Sequence, residues 1–375
     1  MIYLDYNATT PIDPRVAEAM QPFLSGYYGN PSSGHRLGKE ANEAVEKARQ
    51  QVAECIGASP ESILFTGGGS ESNNLALKGV IESAGGQGRI ITSSFEHPAV
   101  SEVCDWLSEQ GTEIDRVSVG QDGIVEIPAL LELLQKPVNL VSIMHANNEI
   151  GTVQPITEIA EAVLKVGALV HTDAAQSLGK VPVNVNDLGV DLLTIAGHKL
   201  YTHKGIGALY VRDGVHLAKQ IHGASHERNL RAGTENVLQI VGLGKACEII
   251  RLEQNAEQQR LQEVRDMLWK KLVANVPGLR RNGDLNKVLP NTLSLIFPGV
   301  SAELLFQALP DVALSAGAAC HSDESAMSDT LRALGLSAEE ASNTVRLSIG
   351  RMTSVDEINR ASEQIITAWK MLTDA

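Results

Sequence analysis

Apolar residues recur along this chain in two alternating rhythms. Short strand candidates, most of them built on apolar residues, fall at 63–65, 89–93, 113–117, 140–144, 168–172, 192–196 and 208–211. Between them lie stretches with helical spacing, among them 72–84, 99–110 and 156–166. Strands alternating with helices predict an α/β fold, with helices covering both faces of a mostly parallel seven-stranded sheet. Residues 14–56 read as helical, and 40–55 is amphipathic, with Ala41, Ala44, Val45, Ala48 and Val52 on one face. Residues 239–274 read as one long helix or two. After it, 291–297, 313–315 and 345–348 read as strands and 302–309, 325–335 and 355–372 as helices, which makes a smaller α+β domain. The expected division is a small domain of 1–14 and 260–375 and a large one of 15–259.

Composition narrows the function. The chain has 375 residues, 43% of them apolar, which suits a soluble globule of two or three domains. A net charge of -14 argues against a nucleic-acid partner and an anionic membrane. The chain lacks an apolar run long enough to span a bilayer, and Met1-Ile2-Tyr3-Leu4-Asp5-Tyr6 has no signal-peptide character. Cys55, Cys104, Cys247 and Cys320 are scattered without a CxxC pair. Neither a disulfide framework nor a metal site is expected, and the expected compartment is a reducing cytoplasm.

The chemistry gathers where apolar runs end. His171-Thr172-Asp173-Ala174-Ala175-Gln176 closes one such run on a carboxylate, and Gly197-His198-Lys199 follows the next. This pair is what pyridoxal phosphate needs: a lysine to hold its aldehyde as an imine, and an aspartate to keep its ring nitrogen protonated. Thr66-Gly67-Gly68-Gly69-Ser70 joins a strand to a helix, where glycines and free amides receive an oxyanion. It lacks dinucleotide or Walker spacing, so a single phosphate fits better. Glu96-His97 and Asn147-Asn148-Glu149 end two further runs, the first offering an imidazole to stack on a planar ring. Open α/β sheets bind ligands at that edge. Cys320 lies among small residues, Ser315-Ala316-Gly317-Ala318-Ala319, and runs into His321-Ser322-Asp323, a setting for an accessible thiol rather than a core.

These motifs, with Tyr3 to Pro11, Gly29-Asn30-Pro31-Ser32-Ser33, His226-Glu227-Arg228, Arg231-Ala232-Gly233-Thr234 and Arg346-Leu347-Ser348-Ile349-Gly350-Arg351, cover nearly the whole chain in order. The chain resembles the cysteine desulfurase and selenocysteine lyase group of fold-type I pyridoxal-phosphate enzymes, in the aminotransferase class V superfamily. The resemblance implies that Lys199 binds the cofactor, His97 stacks on its ring, Asp173 pairs with the ring nitrogen and Gln176 bonds the phenolic oxygen. It assigns the phosphate to Gly69, Ser70 and His198, with Thr234 arriving from the second subunit of a homodimer. Asn148 is expected to touch cofactor and substrate, and Arg351 the substrate carboxylate, through a bidentate pair. Cys320 would take sulfur as a persulfide and leave L-alanine, then pass it to an acceptor protein. The implied substrate is L-cysteine, or L-selenocysteine as the alternative; a sulfur-transfer scaffold without catalysis is a reading of another class. Three departures stand out: Ala196 where a serine or threonine often adds a phosphate ligand, Pro98 where many relatives carry lysine, and the Cys320-His321-Ser322-Asp323 loop, which looks more like the lyase pattern. The longer tail that some members use to engage scaffolds is not seen after the last helix.

Overall fold

The computed structural model describes residues 1–284, 286–316 and 327–374. A two-residue strand, β1 (Ile2–Tyr3), precedes helices α1 (Pro14–Met20) and α2 (Arg36–Ile56). The helical stretch expected over 14–56 is therefore broken. Pro22 removes an amide the ladder would need, a single 3-10 turn follows, and 25–35 is irregular until His35 Nδ1 caps α2. Gly57, at φ 68°, ends α2 in the left-handed conformation that glycine adopts without strain.

The core of the molecule is one seven-stranded sheet. Its members, with the helices between them, are β2 (Ile63–Thr66), α3 (Gly69–Ser83), β3 (Arg89–Ser93), α4 (Pro98–Glu109), β4 (Glu113–Val117), α5 (Ile127–Leu133), β5 (Leu140–Ser142), α6 (Ile156–Leu164), β6 (Leu169–Asp173), α7 (Val185–Leu188), β7 (Leu192–Ala196) and β8 (Gly207–Val211). The order across the sheet is β2-β8-β7-β6-β5-β3-β4. Only β8 runs against its neighbours, and β3 to β7 are parallel wherever they pair. β2, β3, β5 and β7 are buried along their whole length, which is why their apolar residues fall at adjacent positions rather than at alternate ones. One cluster, with Ile91, Val141, Val170 and Leu193, packs against α2 and α6; the other, with Leu64, Ile90, Leu140 and Leu192, packs against α3 and α4.

Helix α8 (Val237–Asn275) is a single 39-residue element, which settles the choice between one helix and two. Its first half buries Ile240, Leu243, Ile249 and Ile250 in the large core, and its second half buries Leu261, Val264, Leu268 and Leu272 in another. The chain then forms β9 (Arg280–Arg281), β10 (Thr292–Ile296), α9 (Ala302–Gln307), β11 (Val312–Ala313), β12 (Ser315–Ala316), α10 (Asp329–Ala333), α11 (Ala338–Ser342), β13 (Thr344–Ser348) and α12 (Val355–Thr373). The second core takes in Ile2 and Leu4 with residues of β10, α9, β11, β12, β13 and α12, whereas α10 and α11 send Leu331 and Ala341 into the large core. β12-β13-β10-β9 form an antiparallel sheet, while β11 pairs with β1. The single strand expected at 313–315 is thus two, split between sheets at Leu314.

Candidate active site

Five segments leave the carboxyl ends of parallel strands on the same edge of the sheet. After β2 the backbone passes through Gly68 at φ 149°, a conformation that side chains avoid, and enters α3. Gly69 and Ser70 thereby occupy the first turn of a 15-residue helix, whose leading amides have no partner within the helix. The Cβ that Gly69 lacks would lie 3.2 Å from Ala196 Cβ. The small residue at 196 therefore lets the helix start sit close to β7. One turn along α3, Asn73 Nδ2 donates to Asp173 Oδ2 at 2.8 Å, and the amide of Ala175 donates to Oδ1 at 2.9 Å. Asp173 is thus a buried carboxylate with both oxygens held.

After β3, His97 caps α4, its Nδ1 accepting the Ala99 amide at 3.0 Å, with Pro98 in the first helical position. Proline suits that position because it has no amide to satisfy. Burial lowers the His97 pKa, Asp173 opposes that and Lys199 adds to it, so the ring is neutral. Glu96 is buried beside it. Burial and then the nearby Asp173 charge raise its pKa to about 8, against hydrogen bonds from Ser93 Oγ at 2.5 Å and the Met144 amide at 2.9 Å. A carboxyl that keeps its proton ties the ends of β3 and β5 together without adding charge to the site.

Lys199 stands on a 3-10 turn after β7. Its Nζ donates to the main-chain oxygens of Asn7 at 2.5 Å and Ala8 at 2.7 Å. Burial and then Arg346 push its pKa down to about 8, against Asp5 and Asp173. At neutral pH a useful fraction is the free, nucleophilic amine. His198, next to it, is driven down to about 4, first by burial and then by the Lys199 charge, and so is uncharged.

His97, Asp173, His198, Lys199 and the start of α3 line one cavity of about 380 Å³, with Glu96 buried behind its wall. The residues read from sequence that meet there are Gly69, Ser70, His97, Asn148, Asp173, Gln176, His198 and Lys199. Arg351 does not. It pairs with Asp13 at 2.9 Å, lies over the Tyr201 ring and belongs to a much smaller cavity behind the first. The arginine that lines the main cavity is Arg346, which donates to Asn148 O at 2.9 Å and pairs with Asp5 at 2.8 Å, leaving its buried Nε without a protein partner. Asn7 and Asn73 were also missed as site residues, although Asn73 stands one helical turn from Ser70. Thr234 is exposed and lines no part of this chain's own cavity. Cys320 lies outside the described residues. Among those described, no cluster of histidine, cysteine or acidic groups could hold a metal, and no helix is long and apolar enough to cross a membrane.

The cavity has the makings of a pyridoxal-phosphate site: an anion cradle at the start of α3, a buried carboxylate across from it, an amine near pKa 8, and an unpartnered guanidinium N–H for a carboxylate. Comparison with known proteins agrees. A family model described as aminotransferase class-V matches residues 2–361. A cysteine desulfurase IscS of Pectobacterium carotovorum is 46% identical over 370 residues, covering 97% of this chain and 91% of that protein. One from Dictyoglomus turgidum is 45% identical, covering 96% and 92%. A solved NifS-like protein superposes with a TM-score of 0.93 at 36% identity, covering 99% of this chain and all of that one. The chain belongs to the aminotransferase class-V family of pyridoxal-phosphate enzymes.

Proposed function

We propose that this protein is a cysteine desulfurase that converts L-cysteine to L-alanine and leaves the sulfur on Cys320 as a persulfide. The observation that carries the reading is the convergence of Lys199, Asp173, His97 and Arg346 on one cavity beside the α3 cradle. Pyridoxal phosphate, when bound, supplies an electron sink for the bonds at the substrate's α-carbon. Lys199 offers the amine that holds it and, once freed, a base next to that carbon. Asp173, fixed by Asn73 and Ala175, keeps a negative charge for the ring nitrogen. Gly69, Ser70 and His198 receive the phosphate, and His97 covers the ring as a neutral imidazole that can take and return a proton. Arg346 and Asn148 take the substrate carboxylate in place of the Arg351 expected from sequence. The Cys320 thiolate attacks the substrate sulfur, the Cβ–S bond breaks with its electrons going to carbon, and protonation there gives alanine.

Thr234 completes each site from a second copy of the chain, a role that fits its exposure. The three described cysteines are free thiols, in keeping with a reducing cytoplasm. The test is incubation of the cofactor-loaded protein with L-cysteine and a reductant. Alanine and sulfide should form in equal amounts, and both should vanish in Lys199→Ala along with the visible absorption band. Alanine from L-selenocysteine alone would favour the lyase reading, and no alanine from either would leave only the scaffold.

A further inference from the structure

Behind the cavity wall sits a second buried lysine, Lys180, 7% exposed and without an ion-pair partner among the described residues. Its Nζ donates to Gln176 Oε1 at 2.8 Å and Asn7 Oδ1 at 3.1 Å. The polarity of this network is fixed from its ends, because main-chain carbonyls only accept. Asn7 Nδ2 donates to Asn148 O at 3.2 Å, so Asn7 Oδ1 must face Lys180 and the Asn291 amide. Gln176 Nε2 donates to Asn7 O at 2.9 Å, the carbonyl that also receives Lys199, so Gln176 Oε1 must face Lys180. Each end leaves Lys180 only the role of donor. Its two acceptors match the two N–H groups of a neutral amine. Burial, then the charges of Lys199 and Arg346, pull its pKa well below that of an ordinary lysine. Glu257 and Arg351 are the other charged groups on the small cavity it shares, which has room for about 10 Å³.

We propose that Lys180 is a positioning residue: it holds the Gln176 carboxamide oxygen away from the main cavity, so that the amide presents only N–H toward the cofactor's phenolic oxygen. It acts on the cofactor through Gln176 and not by its own charge. This rests on the reading of the cavity as a pyridoxal-phosphate site. Without Lys180 the Gln176 oxygen has no donor and the carboxamide is held only through its bond to Asn7 O, so its second N–H is aimed less firmly and the bond to the phenolic oxygen weakens.

The test is the pH titration of the visible absorption band of the holoenzyme. Lys180→Met should raise the midpoint by about one pH unit, the scale of one hydrogen bond to a charged group. Gln176→Leu should give a similar rise, and the double variant no more than Gln176→Leu alone, since the two act as one unit. Lys180→Gln keeps a donor for Gln176 and should titrate like the unaltered protein; it also serves if the methionine variant does not fold. A Lys180→Met holoenzyme with an unchanged midpoint would reduce the lysine to a packing role and overturn the proposal. So would additive shifts in the double variant, which would mean a direct charge effect. An unaltered protein that binds pyridoxal phosphate with no visible band would instead overturn the cofactor reading and this proposal with it.

Discussion

Arg346 and Arg351 belong to one short stretch around the end of β13, yet their surroundings differ in kind. Each keeps one buried Nε without a protein partner, but Arg346 lines the main cavity, whereas Arg351 is turned toward Asp13 and the Tyr201 ring beside the small one. Hydrogen bonding from Arg15 and Arg351 holds the Asp13 carboxyl well below the usual range. Replacing Arg346 by lysine keeps the charge but loses the planar fork. KM for L-cysteine should then rise about tenfold or more, while Arg351→Lys should lower Tm with KM unchanged. The reverse pattern in steady-state kinetics and thermal melts would return the substrate carboxylate to Arg351. The signal for Arg346 was in the sequence: Thr344, Arg346 and Ser348 alternate with Val345 and Leu347, so the arginine points away from the apolar face of its strand. Motif resemblance assigned the carboxylate to Arg351 alone, and the pairing of that residue with Asp13 is a contact the sequence does not display. Lys199 carries a second expectation at this scale. With a pKa of about 8, about a tenth of it is free amine at pH 7, against fewer than about one in a thousand for an ordinary lysine. The rate at which apoenzyme takes up pyridoxal phosphate should therefore climb with pH and level off just above pH 8. A rate still rising tenfold per unit toward pH 10 would mean that burial does not tune this amine.

At the scale of elements, the phosphate cradle and the lysine turn are held in register by a strand that contributes no group to the chemistry. β8 pairs Gly207 with Thr66 on one side and with Ala196 on the other. A Cβ at Gly207 would lie 2.6 Å from Ile195 O and 2.7 Å from Gly68 C, and these are backbone atoms that cannot swing aside. Gly207→Ala should push the loop outward and raise the Kd for pyridoxal phosphate about tenfold or more, read by titrating apoenzyme. A variant that loses Tm but binds the cofactor normally would show that the loop adjusts independently. The strands β3, β4 and β7 were legible to the residue because each is bounded by turn residues, Gly88 before β3, Gly111-Thr112 before β4 and Gly197 after β7. The break in 14–56 was not, since it depends on Pro22 and on His35 as a cap, an uncommon choice. The split at Leu314 depends on which sheets are near, which is tertiary information. So are the positions of Asn7 and Lys180, each legible as a residue but not as a contact.

Over the whole molecule, α8 runs through both cores, and the main cavity opens where the N-terminal segment crosses the sheet edge. In a composite dimer, mixing Lys199→Ala with Thr234→Ala subunits should restore up to one good site per heterodimer. The subunit with intact Lys199 receives its threonine from the partner. Absence of recovery after subunit exchange is verified would confine each site to one chain. The way Asn7 is held also sets an order of events during synthesis. Its carbonyl tethers Lys199 and Gln176, yet its own amide is held by Ser348, 341 residues later, and its side chain by Thr292. At typical elongation rates those 341 residues take roughly 20 s to a minute to add. A ribosome that has finished the seven-stranded sheet has therefore made nearly every group that touches the cofactor but not the clasp that fixes them. The nascent chain should be released empty, and cofactor capture belongs to the finished polypeptide.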